Sequence, residues 1–360
     1  MNKRDTLAVK YWGVRGSIPT PLPSKDLRNK QVELIKQIIQ DGGSEKLFDI
    51  SKPETIEKYL DKIPFSLSNT YGGDTTCLEI QASDSPLIIV DAGTGIRNLG
   101  NEIVKRLFSK QKLNPLNTKE KFKEIHIFFT HYHWDHIQGF PFFTPSFIAG
   151  DKRLKLYFYG KRDARVQLSE VLKGQQCYPN FPVVWDDVPC HKNYMELRRL
   201  NPKKLKIGEV EVSYRELSHP DFVFAYRFDV KGKSFVCATD TEHKDSSDPR
   251  LLQLAQDADI LYYDAQYTPE EYVGEAGSIT GGFSKFDWGH STYEWAIKNA
   301  LTANVKKVVL GHHEPVRDDF FLDKLQKRAL KFLEKQLSLP QNKGKTLEVE
   351  LGYQGLKQML

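Results

Sequence analysis

The sequence predicts an α+β protein in which two mixed β-sheets pack face to face with helices outside. Three observations carry this. Short apolar, β-branched or aromatic runs fall into two groups along the chain, each accompanied by helical patterns. Several of these runs end on a single aspartate or histidine, as at Asp91, Asp240 and His312. No internal repeat or low-complexity linker divides the 360 residues. One domain over residues 1–360 is therefore expected, with a helical insertion at about 24–67.

In chain order, Leu7–Trp12 alternates as a strand and runs into a Gly/Pro loop, Gly13–Pro19. Leu27–Ile39 is helical, with Leu27, Leu34, Ile35, Ile38 and Ile39 on one stripe. A second helix, capped by Ser51 with Pro53 in its first turn, carries Ile56, Tyr59, Leu60 and Ile63. This pair reads as a cover or lid beside a site. The turn Tyr71–Thr76 precedes the strand Cys77–Ile80, and Pro86–Val90 is a buried strand ending at Asp91-Ala92-Gly93-Thr94-Gly95. Arg97–Phe108 is a helix and Lys123–Phe129 a strand. Leu154–Tyr159 is a strand, Asp163–Leu172 a helix, and Phe181–Val184 and Lys206–Arg215 strands of the second sheet. Ala225–Val230 and Ser234–Thr239 form a hairpin across Lys231-Gly232-Lys233. Leu251–Gln256 is helical, Ile260–Tyr263 is a strand, and Gly274–Gly289 is a loop rich in glycine and aromatics. Thr292–Leu301 is a helix, Val305–Leu310 a strand, Asp319–Gln336 an amphipathic helix and Thr346–Leu351 a last short strand.

Composition narrows the function classes. With 39% hydrophobic and 28% charged residues the chain can bury a sizeable core and face water. The 52 basic against 47 acidic residues suit a small anionic substrate but give no case for broad nucleic-acid coating. Lys161, Arg162 and Arg165, and then Arg198, Arg199, Lys203, Lys204 and Lys206, are local basic clusters, of the kind that usually form solvated faces. No run approaches the ~18 apolar residues of a membrane span. Four cysteines without a CxxC pair read as reduced packing residues, so no membrane and a cytoplasmic location are expected.

The chemistry centres on His131-Tyr132-His133-Trp134-Asp135-His136, which follows an apolar strand. Imidazole and carboxylate ligands suit Zn first, with Mn or Fe as alternatives. After a strand, His131 and His133 can point together while Asp135 and His136 turn toward a second position, giving a dinuclear site. Further ligands stand at strand ends: His219, Asp240 and His312. Taken singly, each histidine would pass as an ordinary packed or surface residue. Asp91 can reach beneath the ligands as an acceptor, or simply shape its turn. Glu242 and His243 can orient a neighbour or touch substrate, as can His313, whereas His126 and His191 read as unrelated.

The run His131–His136 resembles the HxHxDH signature of the metallo-β-lactamase superfamily, and Asp91 matches its Asp-Gly turn. The chain is most similar to the branch of tRNA 3′-processing endonucleases and related phosphodiesterases. It shares with them His219 ahead of Ala225-Tyr226-Arg227, Asp240-Thr241, His290-Ser291-Thr292 and the closing His312. The Val14–Pro19 and Tyr71–Thr75 segments resemble a bacterial subgroup of phosphodiesterase-like hydrolases. The insertion and the Gly274–Gly289 loop depart from the pattern.

The resemblance implies an αββα sandwich with a dinuclear metal site at one edge. It implies that His131, His133 and His219 hold one divalent ion, that Asp135, His136 and His312 hold the other, and that Asp240 bridges. Asp135 and His290 would be the catalytic residues, His290 as the acid that protonates the leaving alkoxide. A metal-bridging hydroxide would then attack a nucleotide-type phosphodiester, such as a cyclic nucleotide. An RNA-processing endonuclease, a thioester or lactone hydrolase, and a nucleotide-binding regulatory module are the alternatives. A homodimer is compatible with this reading: Phe283, Phe286 and Trp288 suit a substrate lid or a subunit contact.

Overall fold

The computed structural model describes residues 7–83, 85–108, 122–162, 165–199, 203–278 and 280–360. Its strands are β1 (Leu7–Gly13), β2 (Cys77–Ala82), β3 (Leu87–Val90), β4 (Glu124–Phe128), β5 (Lys155–Lys161), β6 (His191–Leu197), β7 (Leu205–Ile207), β8 (Val210–Leu217), β9 (Val223–Val230), β10 (Lys233–Ala238), β11 (Ile260–Asp264), β12 (Lys307–Gly311), β13 (Glu348–Leu351) and β14 (Lys357–Met359). The helices are α1 (Ser24–Gln40), α2 (Ser44–Leu47), α3 (Pro53–Leu60), α4 (Phe65–Ser68), α5 (Gly95–Phe108), α6 (Trp134–Ile137), α7 (Leu168–Gln175), α8 (Pro249–Ala255), α9 (Pro269–Val273), α10 (Tyr293–Thr302) and α11 (Asp319–Leu337). None is long and apolar enough to cross a membrane among the described residues.

Two seven-stranded mixed sheets form, ordered β14-β1-β2-β3-β4-β5-β6 and β13-β12-β11-β10-β9-β8-β7. Alternation along the strands sorts side chains into layers. In β12, Val309 faces the space between the sheets while Val308 and Leu310 face outward. The inner layer joins Val9, Ile80, Phe128 and Tyr159 of one sheet to Tyr226, Phe235 and Tyr262 of the other. Outside, α8, α10 and α11 cover the second sheet, and α5, α7 and an aromatic group around Phe140, Phe158 and Trp185 cover the first. This is the expected αββα sandwich.

The strands β3 to β6 run parallel, as do β10 to β13. Their C-terminal ends therefore gather at one edge of each sheet, where clefts outside parallel strands form. Cross-sheet bonds fix the exit of β4. The Phe224 N–H donates to the Thr130 carbonyl at 2.8 Å, and the Tyr226 hydroxyl donates to the Phe129 carbonyl at 2.6 Å.

Several local expectations change. Phe181–Val184 is not a strand: Pro182 interrupts its donors, and the Gln176 amide takes the Val183 carbonyl. The strand that continues the first sheet is β6 instead, paired parallel with β5. Lys206–Arg215 splits at Gly208 (φ +56°) into β7 and β8, an antiparallel pair. Helix α7 starts at Leu168, and the expected start, Asp163, lies outside the described residues. The α3 cap position is Lys52, because the Ser51 hydroxyl bonds back to Asp49.

The insertion does not use its apolar stripe as expected. Ile39 is 67% and Ile35 58% exposed, so α1 is held chiefly by polar contacts. The buried Lys30 ammonium pairs with Asp319 at the start of α11 and donates to the Asn69 carbonyl. Asp319 also accepts the Tyr71 N–H at 3.0 Å, and Asp323 takes the Ser66 N–H at 3.1 Å and the Tyr71 hydroxyl at 2.9 Å. The α1–α4 segment is thus fastened to α11.

Candidate metal centre

Six of the strands that point at the shared edge deliver polar side chains there. Residues following β3, β4, β8, β10 and β12 supply Asp91, the His131–His136 run, His219, Asp240 and His312, and β11 ends on Asp264. Three of these, Asp91, Asp240 and His312, adopt left-handed backbone with φ of 60°, 53° and 56°. Each such residue costs on the order of 1–3 kcal/mol and persists only where its surroundings determine it. The turn swings the side chain off the strand axis and into the cleft.

In the His run, the extended backbone of His133 precedes the single turn α6, so Asp135 and His136 emerge on a different side from His131 and His133. The Thr75 hydroxyl bonds the Asp135 carbonyl at 2.7 Å, and the Ser17 N–H donates to Asp135 Oδ2 at 2.8 Å. Both glycine-rich loops of the N-terminal region are therefore brackets for one site aspartate.

Two ligand groups result, and a third, Asp240, Asp264, His290 and His312, overlaps the second. His131, His133 and His219 offer nitrogens within 4.8 Å of one another, and so do the ligand atoms of Asp135, His136, Asp240 and His312. His136 Nε2 lies 3.3 Å from both Asp135 Oδ2 and Asp240 Oδ2, and His312 Nε2 lies 3.1 Å from Asp240 Oδ1. Asp240 Oδ1 is also 3.8 Å from His131 Nε2, which places this carboxylate between the groups. His131 Nε2 is buried and has no hydrogen-bond partner. An orphaned imidazole nitrogen facing a shared carboxylate is the donor set of a divalent cation site.

Electrostatics divide the groups. Burial lowers His131 well below the usual imidazole range, and it lowers His219 to about 4, so both present neutral nitrogens. Burial opposes charge on His136 and His312 too. There the facing carboxylates win: Asp240, Asp135 and Asp91 raise His136, and Asp240 with Asp135 brings His312 to about 9. Despite its burial, Asp240 is held well below the carboxylate range by His136, His312 and His131.

The remote ring nitrogens are held in turn. Asp91 Oδ2 accepts His136 Nδ1–H at 2.8 Å while its other oxygen takes the Thr130 N–H. The Gly289 carbonyl accepts His219 Nδ1–H at 3.0 Å, and Gln266 Oε1 accepts from His312 Nδ1 at 2.8 Å. Each contact fixes the tautomer that leaves Nε2 free for a metal. Close packing makes two glycines obligatory. A Cβ at Gly16 would lie 2.5 Å from His312 Nδ1, and one at Gly289 (φ +84°) would lie 2.1 Å from His219 Nδ1.

His290 joins the edge. Its ring stacks on His312 with centroids 4.9 Å apart, and its Nδ1 is 2.8 Å from Asp264 Oδ2. Asp264 also accepts the backbone N–H groups of Asp240, Gln266 and Ser291. Sequence reasoning missed Asp264 and Gln266. The signal for Asp264 was present, since it ends a strand as Asp240 does.

Of the outer candidates, Asp91 lies against His136 Nδ1. Glu242 takes the Asp287 and Gly289 N–H groups at 2.9 and 3.1 Å, and so shapes the loop leading to His290. His243 turns away to Tyr263 and stacks on Trp295. His313 also points elsewhere, donating from Nε2 to the Gly352 carbonyl at 2.8 Å. Neither belongs to a ligand group. His126 is bonded to Tyr159 and Glu124, outside the site as expected.

The chain is similar to known proteins over most of its length. It is 29% identical over 225 residues to Ribonuclease Z of Listeria monocytogenes, covering 52% of this chain and 69% of the relative. The metallo-beta-lactamase fold protein YhfI from Bacillus subtilis superimposes with a TM-score of 0.58 at 15% identity, over 99% of this chain and 100% of that one. The short form of human tRNase Z gives 0.55 at 16%, over 98% of each. Residues 87–313, more than half of the chain, match the Beta-lactamase superfamily domain. These residues carry every ligand of both groups, and the chain belongs to the beta-lactamase superfamily of metal-dependent hydrolases.

Proposed function

We propose that the protein is a dinuclear metal-dependent phosphodiesterase that cleaves a nucleotide-type phosphodiester, with the whole chain forming one hydrolase domain around the insertion. The observation that carries the reading is His290, stacked beside the ligand His312 and fixed at Nδ1 by the buried Asp264. Hydrolysis of a phosphodiester expels an alkoxide that needs a proton, and an imidazole oriented by a carboxylate supplies one.

In this reading His131, His133 and His219 would hold one divalent ion and Asp135, His136 and His312 the other, with Asp240, which lies between the groups, available to both. Zinc fits these ligands first, and manganese or iron also fit. The two ions, when bound, supply Lewis acidity to a phosphoryl oxygen and acidify a water toward neutral pH. The protein's own groups do the rest. Asp91, Gly289 and Gln266 hold the tautomers, and Asp264 aims His290 through its Nδ1. Glu242 keeps the Asp287–Gly289 backbone in place under both His219 and His290. The relatives named Ribonuclease Z and tRNase Z support phosphorus over carbonyl carbon as the reacting centre.

Metal content and hydrolysis of bis(p-nitrophenyl) phosphate test this for the wild type, Asp240→Ala and His290→Ala. Two metals per chain are expected in the wild type, with turnover collapsing in both variants. His290→Ala should keep its metals, whereas Asp240→Ala should lose them. Cleavage of thioesters without phosphodiester turnover would move the reaction to carbonyl carbon and overturn the reading.

A further inference from the structure

Three of the candidate ligand histidines are held at the ring nitrogen that points away from the cleft, and their holders differ in kind. His136 Nδ1 meets the Asp91 carboxylate at 2.8 Å, and His219 Nδ1 meets the Gly289 carbonyl at 3.0 Å. His312 Nδ1 instead meets a side-chain amide, that of Gln266, at 2.8 Å. Asp264 Oδ2 stands 3.7 Å from the same nitrogen, beyond a hydrogen bond. An amide can turn either its oxygen or its NH2 group toward the ring. With the oxygen there, Nδ1 carries the proton and Nε2 is left as a ligand. With the NH2 group there, the proton sits on Nε2 and the ring is lost as a ligand. The sense of this one amide therefore matters to the site.

The far end of the amide settles it. Gln266 Nε2 donates to Glu314 Oε2 at 2.8 Å. Its other neighbours, the Tyr267 hydroxyl at 3.3 Å and the Ser17 hydroxyl at 3.5 Å, can donate or accept and so favour neither sense. Gln266 is buried, which leaves the choice to these partners. The backbone brings the three residues together. The Ala265 N–H donates to the Gly311 carbonyl at 3.0 Å, where β11 pairs with β12, and this sets Gln266 beside His312. Glu314 follows shortly after His312, in a turn closed by the Arg317 N–H on the Glu314 carbonyl at 3.2 Å. The buried Arg15 guanidinium fastens that turn. Its Nη1 donates to the Arg317 carbonyl at 2.9 Å and the Glu314 carbonyl at 3.3 Å, and its Nε donates to the Gly72 carbonyl at 2.8 Å.

We infer that Glu314 is a positioning residue for the metal centre. By accepting from Gln266 Nε2 it turns the amide oxygen onto His312 Nδ1, and so keeps His312 Nε2 open toward Asp135 and Asp240. Arg15 serves the same end at one remove, by holding the turn that carries Glu314. This inference rests on the reading of His312 as a metal ligand and adds the residue that decides its tautomer.

The test is zinc affinity, read by competition with a colorimetric chelator for wild type, Glu314→Ala, Glu314→Gln, Gln266→Leu and the double variant Glu314→Ala/Gln266→Leu. Wild type should hold two ions. Gln266→Leu should weaken one of them by about 10–100-fold, the range for groups that orient metal ligands. Glu314→Ala should weaken the same ion by about tenfold, the low end of that range. Glu314→Gln should recover most of the loss, because its carboxamide oxygen can still accept from Gln266 Nε2. In the double variant the loss of Glu314 should add nothing to that of Gln266→Leu, since its effect runs through the amide. Melting curves recorded in parallel should coincide, which separates a lost ion from a lost fold. Unchanged affinity in Glu314→Ala would overturn the inference. So would a loss from Glu314→Ala that is equal with and without Gln266, or a Glu314→Gln variant as weak as Glu314→Ala. A wild type that binds no zinc would instead overturn the dinuclear reading on which the inference rests.

Discussion

Glu242 and Gly289 form a clamp: the buried carboxylate accepts the glycine N–H at 3.1 Å, while the glycine carbonyl accepts His219 Nδ1–H at 3.0 Å. The same carboxylate takes the Tyr272 hydroxyl at 2.6 Å, so α9, the Gly-rich loop and the candidate ligand His219 share one anchor. Because Gly289 also leads directly into His290, one side chain positions both the proposed ligand and the proposed acid.

Glu242→Ala is expected to lower turnover by about 10–100-fold, the range for residues that orient metal ligands. Glu242→Gln retains one acceptor oxygen and should fall between the two. A merely structural role would lower the melting temperature without shifting metal affinity. Steady-state kinetics beside a chelator titration separate these outcomes.

Asp91 is wholly buried and bonds His136 Nδ1 at 2.8 Å. Asp91→Ala frees the ring to change tautomer, because the acceptor of its Nδ1–H is gone. Loss of about 10–100-fold in affinity for one of two metals is expected. Competition with a colorimetric chelator would show one tight and one weakened site. Two unchanged sites would exclude the role.

The buried Lys30–Asp319 pair joins the insertion to α11. Removing one partner of a buried pair costs about 3–5 kcal/mol when the other charge is stranded. Asp319 keeps its bonds to Thr70 and Tyr71, so Lys30→Met should cost near the low end. Urea unfolding measures it, and small-diester turnover by the folded variant should be unchanged.

His243 provides a pH test away from the ligands. Burial lowers its ring from 6.5 to about 4, so between those values the unfolded chain binds more protons than the folded one. Stability therefore falls as pH drops from 6.5 toward 4 and levels off below, by on the order of 3 kcal/mol at most. His243→Gln removes this contribution. The wild-type and variant urea curves should converge by that amount as the pH is lowered across the window.

Legibility in the sequence followed chemistry that is local. The His131–His136 run, the strand-end residues His219, Asp240 and His312, and the αββα layering are all readable, because metal ligation and strand alternation each impose short-range patterns. Residues that act through another were harder. Gln266 carries no motif, and its role exists only because β11 and β12 lie side by side. His313 and His243 were drawn toward the site by proximity in sequence, whereas backbone direction sends each to another partner. The stripe on α1 misled because apolar periodicity reports a helix face and not what covers it.

The pairing of β1 with β14 sets Ala8 against Met359 and Lys10 against Lys357. During synthesis the first strand emerges long before its outer neighbour. At roughly 5–20 residues per second, about 20–70 s separate the two. Over that interval β1 can pair on its inner side with β2, but its outer row of amides faces water or a chaperone. The strand that seals the first is thus made about 340 residues after it. The first sheet is completed only once β14 has emerged, with a long loop closed at that step.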